Sequence, residues 1–184
     1  MNRSLLLRIR RFIADRQSSG AFAAKSGPRL DEAPARPNVF VSALILDCLA
    51  GNKDSILTDL INEAISFLLS HKSQSWSWNY WQRENPRSRT LPDDLDDSIA
   101  ALIALQAHVP QLLDERALSA VTKLLIRAET EPGGPYHTWL VNDYSEPEWQ
   151  DIDPAVNASI GYFLKLQGIR LPGLEAYCEN VIRS

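Results

Sequence analysis

Three things are scarce in this sequence: cysteine, surplus positive charge and long apolar runs. Its two cysteines, Cys48 and Cys178, give no disulfide framework, which fits a reducing compartment, and the apolar run around Cys48 predicts a buried side chain. Nineteen Lys and Arg against 23 Asp and Glu leave a net charge of −4, and this lack of a basic surplus argues against nucleic-acid binding. No apolar run reaches the length that spans a bilayer.

The N-terminal segment mixes apolar residues with arginines. Arg8, Arg10 and Arg11 interrupt what would be the apolar core of a secretory signal, so we expect a cytoplasmic protein. Residues 3–16 are predicted to form a basic amphipathic helix. Such a helix either lies on an anionic membrane surface, making the protein membrane-peripheral, or packs as an outer helix on its neighbour, and packing is favoured here.

Almost every periodic stretch of the chain predicts helix. The predicted helices span 3–18, 38–50, 54–72, 94–108, 114–130, 154–167 and 172–183. Asp114 is placed to cap one of them, Pro154 opens the next, and Gly168 follows its end. Because no stretch alternates with a period of two, the sequence predicts an all-α fold.

The chain also repeats itself. Phe22, Trp78 and Tyr136 each end a small-x-aromatic loop and are spaced 56 and 58 residues apart. A very apolar helix follows each loop after about twenty residues, and then a more amphipathic one. All-round apolar helices should be buried and amphipathic ones should cover them. We therefore predict one domain over 1–184, an α/α toroid-like array of helical hairpins with repeats 1–70, 75–130 and 133–184.

One helix begins with an unusual concentration of acid. Asp93, Asp94, Asp96 and Asp97 fall within five residues just before the apolar run that starts at Ile99. One or two acids in a first turn complement the helix dipole, but four exceed that need. At close range they repel one another, so at least one should keep its proton to a higher pH than a free Asp. A protonated acid among ionised neighbours can act as a Brønsted acid.

These features resemble the superfamily of squalene–hopene cyclases, class II terpene cyclases and protein prenyltransferase β subunits. The hairpin repeat is one element of the resemblance. The loop from Asp15 to Phe22 is similar to the Gln-x-x-x-Gly-x-aromatic element of those repeats. The run Asp94-Leu95-Asp96-Asp97-Ser98-Ile-Ala matches the Asp-x-Asp-Asp-Thr-Ala motif of class II cyclases, with Ser for Thr and one residue inserted before Ala.

The resemblance implies proton-initiated cyclisation of an isoprenoid without a cofactor. Asp96 would be the acid that protonates an alkene or epoxide, and Asp94 and Asp97 would set its proton affinity. His137 would hydrogen-bond to the acid. Because a carbocation needs π-faces around it, loop aromatics would form the substrate-binding wall: Trp76, Trp78, Trp81, Tyr136 and Trp139.

A class I chemistry is an alternative interpretation of the same acids. Asp93, Asp94 and Asp97 also satisfy Asp-Asp-x-x-Asp, which in class I prenyl-diphosphate enzymes binds Mg²⁺ and diphosphate. The nearest second metal motif, Asn142 to Glu146, does not have the required spacing. A cluster of arginines before the acids either clamps a diphosphate or only neutralises the acids in solvent; these are Arg83, Arg87 and Arg89.

Two further alternatives stay open. A carbohydrate-active α/α toroid would use one acid and one base, and Asp96 would pair with Asp151 or Asp153 at the start of the next inner helix. In the other alternative the acids only cap helices, and the protein is a non-catalytic repeat module that binds a partner chain.

The number of hairpins matters for all of these functions. By the resemblance, a closed toroid needs about twice as many hairpins as the three predicted here. The chain is therefore an open half-toroid, a dimer that completes a ring, or a separated piece of a larger system. Because half a ring leaves inner helices such as 38–50 and 154–167 with one uncovered flank, we expect a homo-oligomer or a second toroid-type chain as partner.

Overall fold

The structure, a computed structural model, describes residues 3–25, 35–52 and 55–183. Within these ranges it contains seven α-helices: α1 (Arg3–Ala14), α2 (Val39–Cys48), α3 (Ser55–His71), α4 (Leu95–His108), α5 (Glu115–Ala128), α6 (Pro154–Leu166) and α7 (Pro172–Arg183). The all-α prediction is confirmed, and all of these helices except α1 end within two residues of their predicted bounds. In these same ranges, no helix has both the length and the apolarity needed to cross a bilayer.

A small antiparallel sheet departs from the prediction. Its strands are β1 (Gln17–Ser18), β2 (Ala21–Ala24) and β3 (Arg36–Pro37), in the order β1-β2-β3. Strands of two to four residues are too short to show alternation in a sequence. The prediction that the first helix runs to residue 18 is therefore wrong, because α1 ends at Ala14 and the β1–β2 hairpin follows.

The helices form an inner row and an outer row. In the inner row, α4 packs between α2 and α6. α3 packs on α2 and α7 on α6, and α5 buries one apolar face while its opposite face is charged and exposed. The central helix is the most buried, with eight of its fourteen residues inside the core. The structure thus has the alternation of buried and amphipathic helices that the repeat predicts.

The repeat has a hydrogen-bond basis. Each repeated aromatic residue donates its backbone N–H to a polar side chain in the first turn of the next inner helix: Phe22 to Ser42 (2.9 Å), Trp78 to Ser98 (2.9 Å) and Tyr136 to Asn157 (2.8 Å). Since each of these polar side chains is at most 1% exposed, the bonds satisfy backbone groups that water cannot reach. They fix each loop to its inner helix in the same geometry.

The three inner helices also begin alike. Asn38, Asp94 and Asp153 are their N-caps, and each side chain accepts a backbone N–H from the first turn. Asp114 caps α5 in the same way, as predicted. These caps define a common register, in which any inner-helix residue is located by its distance from the cap.

The prediction for Cys48 is wrong, because its side chain is exposed at the end of α2. Leu44, one turn earlier, is 45% exposed. An apolar run predicts burial on all sides only when neighbours cover all sides. Here α2 has an inner helix, α4, packed on one of its flanks.

Candidate active site

A groove of about 290 Å³ runs across the inner row. Each inner helix contributes three lining residues: Phe40, Leu44 and Asp47 from α2, Asp96, Ala100 and Ile103 from α4, and Ala155, Ser159 and Tyr162 from α6. In every helix they lie two, six and nine positions after the N-cap. The groove therefore repeats with the chain, and most of its lining is apolar.

Asp96 breaks that apolar pattern. Its counterparts two positions after the other caps are Phe40 and Ala155, and all three side chains line the groove. Burial raises the pKa of Asp96, and the negative charge of Asp153 raises it further. Asp96 is thus not a helix cap. It is a carboxyl group presented to the groove, with its proton held more tightly than in water.

Asp94 occupies the position that capping requires. Its Oδ1 accepts the backbone N–H of Asp97 at 2.7 Å, and the residue is 7% exposed. Burial raises the pKa of Asp94 to about 6, although its hydrogen bonds with Asp97 oppose that rise. The cap of α4 is therefore a carboxyl group that titrates close to neutral pH.

Asp97 is the most deeply buried acid of the run. Its repeat counterparts are Val41 and Val156, so a carboxyl group stands where the other inner helices have valine. The residue is 2% exposed, and its Oδ2 has no hydrogen-bond partner. Burial raises the pKa of Asp97 well above its usual range, and the charge of Asp94 and a hydrogen bond to it add to the rise.

Together the three acids form a proton-holding cluster. Asp94 and Asp97 are both buried, the backbone N–H of Asp97 donates to Asp94, and burial raises the pKa of both carboxyl groups. Asp96 lies on the same helix turn and faces the groove. Capping explains Asp94 alone, because Asp96 and Asp97 lie at levels that the other repeats fill with apolar side chains. The cluster can deliver a proton to a molecule in the groove.

The metal set of the class I alternative does not fit this geometry. The Asp93 carboxylate accepts the Ser77 hydroxyl proton at 2.5 Å, and an oxygen of Asp94 is committed to capping α4. Among residues 3–25, 35–52 and 55–183, no three His, Cys, Asp or Glu side chains are grouped to hold a metal ion. Asp93, Asp94 and Asp97 therefore do not form a Mg²⁺ site in this structure.

Two of the predicted wall aromatics lie in the core instead. Trp78 is 0% and Tyr136 1% exposed. The indole N–H of Trp78 donates to the carbonyl of Leu68 at 2.7 Å. Burial raises the pKa of Tyr136 to about 12, with a contribution from Glu129. Both rings anchor their loops to the helices behind them, so they do not line the groove.

The other predicted aromatics lie in the loops above the inner helices. Trp81 is paired by a short antiparallel bridge to Asn38, the cap of α2, and Trp139 by another to Asp94. Trp76 packs edge-on against Trp78, with ring centroids 6.2 Å apart. Trp81 thus lies beside the N-terminus of α2, and Trp139 lies beside the N-terminus of α4, which carries the acids.

His137 and two of the arginines make contacts with residues other than the acids. The His137 ring stacks on Tyr144 with centroids 4.3 Å apart, and its buried Nδ1 has no hydrogen-bond partner. Arg83 donates to the carbonyl of Lys72, and the Arg87 guanidinium lies 5.0 Å from the centroid of the Trp81 ring. Arg83, Arg87 and Arg89 are exposed, and none forms an ion pair with the acid run in the part of the chain that the structure describes.

The acid–base pair of the carbohydrate alternative is also engaged elsewhere. Asp153 accepts two backbone N–H groups as the cap of α6. The Asp151 carboxylate accepts the Thr138 hydroxyl at 2.8 Å. The charge of Asp153 raises the pKa of Asp96, so the two carboxyl groups interact. The Asp153 carboxylate is already engaged as the cap of α6, which does not suit a catalytic base.

The residues missing from the sequence-based prediction are the lining residues other than Asp96. Phe40 and Tyr162 are the aromatic ones. Their signal was present in the chain, since counting two, six and nine residues from Asn38, Asp94 and Asp153 gives the complete lining. The concentration of acids was enough to identify the acid motif. Identifying the residues that face it across the groove requires aligning the three inner helices by their caps.

No protein-family description matches this sequence, and no curated protein does. Solved structures of the type II terpene cyclase MstE from Scytonema do match its fold. The TM-scores are 0.62 for a variant in complex with its product, merosterolic acid A, 0.61 for the apo protein, and 0.60 for a variant in complex with its substrate, geranylgeranyl dihydroxybenzoate. Identity is 18%, with 98% of this chain and 49–50% of the cyclase chain covered.

The chain therefore spans about half the length of these cyclases and shares their fold over that half. The predicted resemblance to class II terpene cyclases is confirmed at the level of fold. The likeness does not point to squalene–hopene cyclases or to prenyltransferases in particular.

Proposed function

We propose that this chain forms half of a class II terpene cyclase-like active site, in which Asp96 protonates an isoprenoid. The observation that carries the proposal is the position of Asp96 in the groove. At its level the other inner helices present Phe40 and Ala155, so this carboxyl group stands where the repeat otherwise places an apolar side chain. The fold shared with half of a type II terpene cyclase supports the same reaction class.

The chemistry begins with the proton on Asp96. Its O–H bond breaks as a new C–H bond forms at one alkene carbon, and the positive charge develops at the other carbon. The rings of Phe40 and Tyr162 line the same groove and offer π-faces to that cation. The cyclised cation then loses a proton to the Asp96 carboxylate: a C–H bond breaks, an alkene forms, and the acid is restored.

Asp94 and Asp97 act as positioning residues in this proposal. Both are buried, and burial raises the pKa of each. If the Asp94–Asp97 pair is neutral or carries a single charge, the negative charge close to Asp96 stays small. Because each further ionised carboxylate would strengthen the hold on the Asp96 proton, limiting their charge keeps the acid strong enough to react.

The loop side chains are proposed to act at the mouth of the groove. Trp81 and Trp139 lie beside the helix caps, where a substrate would enter. Trp76 and His137 are proposed to support this loop layer rather than to contact the cation. The exposed cations Arg83, Arg87 and Arg89 would bind a polar or anionic head of the substrate.

The groove needs a cover to work. Carbocations react with water, and a productive site excludes it. Tyr162 is 53% and Leu44 45% exposed in the single chain. We propose that a second half-toroid, from another copy or another toroid-type chain, closes the groove.

Contact with a membrane surface through α1 is a further part of the proposal. Leu7 is 52% and Phe12 58% exposed on a helix that also exposes Arg8 and Arg11. Apolar side chains beside cations suit the boundary of an anionic bilayer. An isoprenoid substrate would reach the protein from that boundary.

The test is product formation from a panel of squalene, oxidosqualene, farnesyl diphosphate and geranylgeranyl diphosphate, with and without Mg²⁺, analysed by gas chromatography–mass spectrometry. Asp96→Asn should lower turnover at least about 100-fold, the usual contribution of a general acid. Asp47→Asn is the matched control. Asp47 lines the same groove but lies about two helical turns further from the helix caps than Asp96, so its replacement should change turnover little.

Two outcomes of this assay would count against the class II proposal. A product that requires Mg²⁺ and survives Asp96→Asn would contradict the class II proposal. If a closed assembly makes no product from any substrate, the better function is a repeat module that binds a partner chain through its exposed apolar side chains.

A further inference from the structure

The inner row has two open flanks. On α4, the side facing α6 carries Leu95, Ile99, Leu102 and Gln106, and the Gln106 side chain accepts a hydrogen bond from Gln167 at 3.1 Å. The repeat register gives the same side of α6 as Pro154, Ala158, Gly161 and Lys165. No inner helix covers this side in the described chain, and three of these four residues are exposed.

The opposite open flank belongs to α2. On α4, the side facing α2 carries Asp97, Ala101, Ala104 and His108, and the His108 ring bonds the carbonyl of Leu46 at 2.8 Å. The same register on α2 gives Val41, Ile45 and Cys48. Val41 and Ile45 are half-buried and Cys48 is exposed.

We infer that a second copy of this chain closes the ring, with α6 of each copy packed against α2 of the other. This inference rests on the proposed function only in that both need a covered groove. If a two-fold axis coincides with the central axis of the ring, the α6–α2 contact forms twice, and no flank of either inner row stays open. The result is six inner helices from two identical chains, which matches the fold likeness to cyclase chains about twice as long.

The two flanks are complementary in size. Ala158 and Gly161 on α6 are small, whereas Val41 and Ile45 on α2 are β-branched. A Cβ added at Gly161 would meet only Leu174 of its own chain, at 3.6 Å, so the small residue leaves this point of the α6 surface open. Bulky side chains on one helix against small ones on the other give close packing.

The loops show complementary charge at the same contact. In the chain, Trp81 bridges the cap of the preceding inner helix, Asn38, and Trp139 bridges the next cap, Asp94. Each bridging residue lies three positions after its repeated aromatic. By that register, Lys25 of the second copy lies beside Asp153, the cap of α6. A cation there meets an anion, so the closing contact is attractive.

The register also predicts which residues meet. Gln106 and Gln167, which are hydrogen-bonded between α4 and α6, lie twelve and fourteen residues after their caps. The residues at the same positions in the proposed contact are Lys165 of one copy and Asn52 of the other. Cys48 then lies between the levels of Gly161 and Lys165 of the other copy, about half a turn from each. A native thiol is therefore already placed at the proposed contact.

The experiment is oxidative cross-linking of Lys165→Cys in a Cys178→Ser background, read on a non-reducing gel. Lys165 is exposed, so its replacement should leave the fold intact. We expect a covalent dimer that forms without a ladder of larger species. The matched control, Lys165→Cys with both Cys48→Ser and Cys178→Ser, should not cross-link. Light scattering of the unmodified protein should give about twice 20.6 kDa.

Three results would overturn the inference: a monomer at high micromolar concentration, a cross-linked ladder, or cross-linking that persists without Cys48. These readouts do not depend on turnover. A monomer would leave the Asp96 proposal to be tested with a different closing chain, and a closed dimer without product would count against the cyclase proposal alone.

Discussion

Replacing Asp97 by asparagine should stabilise the protein at neutral pH, although it alters the proposed active site. In the folded protein, burial raises the pKa of Asp94 to about 6 and that of Asp97 well above its usual range. In the unfolded chain both carboxyl groups return to a pKa of about 3.9. Between those values the folded state binds more protons, so stability is fully present at low pH and is lost as pH rises.

The Asp94 shift shows the scale that burial of a carboxyl group reaches at this site. A rise from 3.8 to about 6 corresponds to about 3 kcal/mol lost between about pH 4 and pH 6, and Asp97 extends the loss to higher pH. An asparagine amide donates to Asp94 at every pH and holds no titrating proton. The variant removes the loss that belongs to Asp97, while the loss that belongs to Asp94 remains. It should therefore be more stable than the wild type at neutral pH and almost unchanged at low pH.

The assay is urea unfolding followed by circular dichroism at about pH 4.5 and about pH 7.5. The slope of unfolding free energy against urea should not change, since the same surface is exposed. Asp114→Asn is the control, because it keeps an exposed cap on α5 and should shift stability little at either pH. Equal destabilisation by Asp97→Asn at both pH values would refute the buried-proton argument.

Three further predictions concern the groove, the N-terminal helix and the repeat turn. Tyr162→Leu should lower the rate about tenfold while Tyr162→Phe preserves it, because the ring alone offers a π-face to the cation; steady-state kinetics checks this. Leu7→Glu with Phe12→Glu should abolish sedimentation with phosphatidylserine vesicles without changing the fold, and unchanged sedimentation would contradict membrane contact. Gly20→Ala should cost about 2 kcal/mol more in urea unfolding than Gly51→Ala, since both have positive φ but only a Cβ at Gly20 meets a backbone oxygen, of Glu63, at 2.3 Å; equal costs would contradict the steric argument.

The helices were predictable from the sequence because their periodicity and caps are local. Asp114, Pro154 and Gly168 mark helix ends through their own backbone preferences, which act within a few residues. The β1–β2 hairpin was missed because its strands are held by Phe22, buried against helices far away in sequence. Short strands of that kind carry no periodic signal of their own.

The acid site was only partly predictable. The concentration of carboxylates at the start of α4 indicated a raised pKa, and burial raises the pKa of Asp94, Asp96 and Asp97. Which acid is a cap and which faces the groove depends on the register of the inner helices. Trp78 shows the same difficulty for aromatics, since nothing local indicates that its ring turns into the core.

Cys48 lies at the end of an apolar run and is exposed in a single copy of the chain. An apolar run predicts burial, and in a single copy the structure exposes its end. The same contrast appears at Tyr162, whose aromatic ring is 53% exposed on an inner helix. Both residues become interior positions if another half-ring covers them. The mismatch between apolar sequence and exposed surface therefore supports the proposal of a closing partner.

The most direct test of the central claim is cyclisation in deuterated water, with the product analysed by mass spectrometry. If Asp96 starts the reaction, its exchangeable proton becomes a deuteron, and that atom is delivered to carbon at the site of initial protonation. We expect a cyclised product with one solvent deuterium at that carbon from the wild type, and no such product from Asp96→Asn. A cyclised product that carries no solvent deuterium would contradict it.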